Sequence, residues 1–135
     1  MKITVTIHQL QLDYLLRDVL TQLGRQAAAE FSTKIKAYDA VRNDEFLPEY
    51  WQHYDQQGEI EVDTAAIAEI GENRVLENIF QAGNDDGYGH WAGLYNRYET
   101  AFSISVGDII ILGETAYIVA GCGFTQVELA REEAA

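Results

Sequence analysis

An α+β fold, a small antiparallel sheet or partial barrel with a C-terminal hairpin packed against two to four helices, is what three stretches of this 135-residue chain predict. Residues 2–8 alternate apolar Ile3, Val5 and Ile7 with Lys2, Thr4, Thr6 and His8, the period of two that a half-buried strand requires. Leu16, Val19, Leu20 and Leu23 fall at i, i+3, i+4 and i+7, one stripe of a helix. Residues 109–112 (IIIL) and 116–120 (AYIVA) flank Gly113-Glu114, a two-residue loop with glycine first, which is the chemistry of a type II′ hairpin.

The elements follow in chain order. Strand one covers residues 2–8. Asp13 is placed to cap the helix that carries the Leu16 stripe; Gly24 either ends or weakens that helix, and the Ala-rich RQAAAEF segment carries it to about residue 30. Residues 32–41 fit more helix or a strand, and the spacing of Ile35, Ala37 and Val41 favours the strand. Pro48 opens a short helix, with Glu49 favourable at its positive end, Tyr50 and Tyr54 on one face beside Trp51, and Gly58 as its stop. Residues 59–63 (EIEVD) form a short strand with Ile60 and Val62 inward and Glu59, Glu61 and Asp63 outward. Asp63 then caps a helix over 64–70; after Gly71 a second helix sets Val75, Leu76, Ile79 and Phe80 on one face and stops at Gly83, a C′ glycine in the left-handed region.

The C-terminal hairpin pairs Leu112 with Thr115 and Ile110 with Tyr117. Because Ile109 and Ile111 are as apolar as Ile110 and Leu112, both of its faces need cover. Gly107 and Asp108 turn into the first strand, and GCGF at 121–124 turns out of the second. Length fits one domain over 1–135, divided into an acidic helical middle (43–82), a loop rich in glycine and aromatics (83–100) and the hairpin region (103–128).

Net charge is −13, and it is unevenly spread. Residues 1–42 hold six bases and four acids, whereas residues 43–96 hold twelve acids and one base, Arg74. Such a surface repels a phosphate backbone, so direct binding to nucleic acid is excluded as an expectation. It attracts a basic surface, including the nucleic-acid groove of another protein. The single cysteine, Cys122, forms no internal disulfide and reads as a small buried hydrophobe between two glycines, which suits a reducing, cytoplasmic location. No run of 18 apolar residues is present, so a helical membrane span is not expected.

Motifs that carry chemistry are weak. GYGHWA at 87–92 fits the relaxed dinucleotide pattern but lacks the preceding strand and following helix, and Asp85 and Asp86 beside it would repel a phosphate. NDDG at 84–87 lacks the remaining EF-hand ligands. His8, His53 and His90 show no zinc or triad spacing, and Ser103 and Ser105 sit in SxS rather than in a nucleophile elbow. No cofactor or metal is expected. The tyrosines and tryptophans at 50, 51, 54, 88, 91, 95 and 98 are of the types enriched in recognition hot spots.

Residues 73–128 resemble the small YodL-like proteins of phages, plasmids and other mobile elements. Leu76 to Phe80, then Ser103, Ser105, Val106, Gly107 and Asp108, then Tyr117, and finally Gly123 and Phe124 carry the resemblance. It implies a mobile-element accessory protein, of a kind sometimes found beside antirestriction functions, and brings no catalytic residues with it. The expected function is a non-enzymatic acidic protein that binds a basic host protein, as a nucleic-acid-mimicking inhibitor of a defence system of anti-restriction or anti-CRISPR type. Its expected contact residues are Asp44, Glu45, Glu49, Trp51, Asp55, Glu59, Glu61, Asp63, Asp85, Asp86, Tyr88 and Trp91. The alternatives are a small metal-dependent hydrolase using Asp85, Asp86 and His90, and a homo-oligomeric regulatory module joined through the aromatics.

Overall fold

The computed structural model describes residues 1–84 and 94–130. The fold is α+β: one open, antiparallel, six-stranded sheet in the order β3-β2-β1-β4-β5-β6, with helices on both faces. The strands are β1 (Lys2–Gln9), β2 (Asp55–Asp63), β3 (Tyr95–Arg97), β4 (Ile109–Leu112), β5 (Thr115–Val119) and β6 (Phe124–Val127). The helices are α1 (Tyr14–Phe31), α2 (Thr33–Val41), a 3-10 helix (Pro48–His53), α3 (Thr64–Ile70) and α4 (Glu72–Ala82).

Strand alternation decides what lies on each face. On β4, Ile109 joins a core with Leu10, Ala28, Ile35, Val41 and Tyr54, beneath α1, α2 and the 3-10 helix. Its neighbour Ile110 enters a second core with Val5, Ile7, Ile60, Val62 and Ile79, beneath α3 and α4. The apolar run of the hairpin is therefore buried from two sides, as its composition requires. Register in the hairpin is the expected one, Leu112 opposite Thr115 and Ile110 opposite Tyr117.

Asp13 caps α1, its carboxylate accepting the Leu16 N–H at 2.9 Å. Gly24 kinks this helix instead of ending it: its φ of 79° is non-helical, a conformation glycine adopts without a Cβ clash, and helix resumes beyond it.

Five local expectations are corrected. Residues 33–41 are helix, not strand: Ser32 Oγ accepts from the backbone N–H groups of Lys34 and Ile35, and Ile35, Ala37, Ala40 and Val41 are buried. An N-cap serine outweighs a short apolar alternation because it satisfies donors that a new helix would leave open. The Pro48 helix is a single 3-10 stretch that ends before Gly58, and Gly58 lies inside β2. There a Cβ would come within 2.8 Å of Tyr95 Cζ, so the glycine makes room for a cross-strand ring. Gly83 has φ −74°, not a left-handed value; its lack of a side chain admits Ile104, whose Cγ1 would lie 2.5 Å from a Cβ. Residues 95–97 of the expected loop form an edge strand on β2. Cys122 is exposed in the turn between β5 and β6.

Candidate functional site

Register places a row of polar groups on one side of β1 and β2. Lys2 lies opposite Asp63, Thr4 opposite Glu61 and Thr6 opposite Glu59, with Asn96 of β3 opposite Glu59 in turn. These side chains share the sheet face of Ile109 and Ile111, because Thr6 pairs with Ile111 and His8 with Ile109. Over β4 and β5 that face is packed against the α1/α2 core. Over β1, β2 and β3 it carries a shallow concavity of about 640 Å³ lined by Lys2, Thr4, Glu59, Glu61, Leu94 and Asn96 among others.

Three of the expected contact residues meet here. Glu59, Glu61 and Asp63 occupy alternate positions of one strand, about 6–7 Å apart along it by strand geometry. Glu61 and Asp63 are exposed; Glu59 is half-buried and accepts from Asn96 Nδ2 at 3.2 Å. Asp63 has a second role, since it accepts the Ala65 N–H at 3.0 Å as the N-cap of α3. That hydrogen bond is the main reason its carboxyl sits below the usual range.

The other acids of the block diverge. Asp44, at φ 60°, accepts the Gly121 N–H at 3.1 Å and so links the end of α2 to the β5–β6 turn. Glu45 and Glu49 are exposed around the 3-10 helix, and after burial their charges are what raise the Tyr50 pKa. Asp55 is exposed at the start of β2, opposite Gln9. Glu69, Glu72 and Glu77 lie on α3 and α4, whose apolar sides cover the opposite face of the sheet. A run continuous in sequence thus divides between two sides of the molecule. Trp51 is half-buried, stacked on Tyr54 at 5.7 Å and edge-on to His8 at 4.7 Å, within the α1/α2 core. Asp85, Asp86, Tyr88, His90 and Trp91 lie outside the described residues. Among the described residues no group of three or more His, Cys, Asp or Glu is placed to hold a metal ion.

The Ser-Val-Gly-Asp stretch is built from a buried carboxylate. Asp108 is 2% exposed, and its Oδ2 accepts from the Ser105 N–H at 2.9 Å and from Gln9 Nε2 at 3.0 Å. Gln9 also donates to the Phe102 carbonyl at 2.8 Å and accepts the Phe102 N–H at 3.0 Å. Burial pushes the Asp108 carboxyl up to about 6, against the opposing pull of the Ser105 N–H, Gln9 and Arg42. Tyr54 completes the anchor, its hydroxyl donating to the Gly107 carbonyl at 2.5 Å. Gly107 has φ 94° and lies against Val41, whose Cγ2 would be 2.9 Å from a Cβ. With these partners, the carboxylate fixes the 102–108 turn to β1; none of these groups lines the concavity.

Sequence reasoning missed Lys2, Thr4, Leu94 and Asn96 as neighbours of the acids. The polar half of the β1 alternation was the available signal, because a strand with helices on both sides would not keep four polar residues at alternate positions.

No family model matches this chain. No curated protein and no solved structure matches it either. Among the described residues, no helix is long and apolar enough to cross a membrane.

Proposed function

We propose that this protein is a non-enzymatic interaction module that receives a basic surface of another protein on the open face of β1, β2 and β3. The observation that carries this reading is the row Glu59, Glu61 and Asp63 on a strand face carrying a shallow concavity. A regular backbone holds the three carboxylates at fixed intervals, so they lose little freedom when a partner's Lys and Arg side chains arrive. In a chain of net charge −13, long-range attraction adds to that local match. The excess of acids over bases in residues 43–96 is what favours a basic partner; with the mobile-element setting that the resemblance of residues 73–128 implies, that partner would be a host defence component, the acid row standing in for backbone phosphates.

The experiment is affinity capture from host lysate at low salt, followed by titration of the recovered partner with Glu59→Lys/Glu61→Lys and with Glu69→Lys/Glu77→Lys. The first pair is expected to weaken binding by about tenfold or more, roughly 1.4 kcal/mol, and the second much less. Binding should also fall steeply with salt and compete with duplex DNA. Equal loss in both pairs would show that only total charge matters and would sink the surface assignment. Recovery of no basic partner would sink the reading itself.

A further inference from the structure

No further inference is drawn: the strongest candidate, the outer edge of β6 (Phe124–Val127) at the end of the sheet away from β3, has no strand paired to it among the described residues, and nothing in the structure shows what covers it.

Discussion

The two halves of the sheet obey different rules. Strands β4 and β5 lie between helices on both sides, Ile109 and Ile118 in one core and Ile110 and Val119 in the other. Strands β1 and β2 share the α3/α4 core through Val5, Ile7, Ile60 and Val62 but keep polar residues on their other face. The difference is written in the side-chain period. A run such as IIIL signals two buried faces, whereas strict alternation such as EIEVD signals one. A surface free to bind follows from the second pattern and not from the first.

The largest test of this contrast is to truncate both faces of β4. Ile109→Ala and Ile110→Ala should each destabilise by about 2–5 kcal/mol in urea unfolding, because each leaves a cavity in a separate core. Glu61→Gln on the open face should change stability by less than about 0.5 kcal/mol. A neutral Ile109→Ala would mean that the α1/α2 layer does not pack on the hairpin.

Next in size is the pH dependence of Asp108, where the double-sided half meets the loop before it. Its folded pKa of about 6 lies above the 3.8 of an unperturbed aspartate. The unfolded chain therefore gives up this proton first as pH rises, so Asp108 should lower stability between about pH 4 and 6 by on the order of 3 kcal/mol, with a plateau above. The other carboxylates titrate too, so the quantity to measure is the difference between wild type and Asp108→Asn across that window. A constant difference would show that Asp108 does not titrate there.

Smaller effects separate conformation from crowding. Gly107→Ala combines a positive φ with the Val41 contact and should cost about 2–3 kcal/mol. Gly24→Ala has the positive φ but nothing within 4 Å of its Cβ, and should cost less, about 1–2 kcal/mol. Thermal melts of the two variants compare them directly. Equal losses would leave Val41 out of the account.

Much of the architecture was legible because it rests on local chemistry. The Asp13 and Asp63 caps, the hairpin register and the two-faced core of β4 all follow from a few neighbouring residues. What escaped depends on distant partners. Gly58 and Gly83 looked like stops, yet each is small because Tyr95 or Ile104 packs on it from elsewhere in the chain. The acid row was legible on β2, where alternation fixes the side, but the split of Glu69, Glu72 and Glu77 to the other side depends on where α3 and α4 dock. Trp51 carried no mark in sequence to distinguish a recognition aromatic from the ring that stacks on Tyr54.

The place of β1 in the middle of the sheet has a consequence for assembly in time. Its two neighbours are β2, roughly fifty residues later, and β4, roughly a hundred residues later. During synthesis the first strand must wait for both before its edges are closed. The β1–β2 ribbon and the α3–α4 pair emerge early enough to cover one side, while the final hairpin arrives last and shuts the second edge of β1. Until then the edge that will receive Ile110 stays open to any other strand, which makes that interval the protein's period of greatest exposure to aggregation.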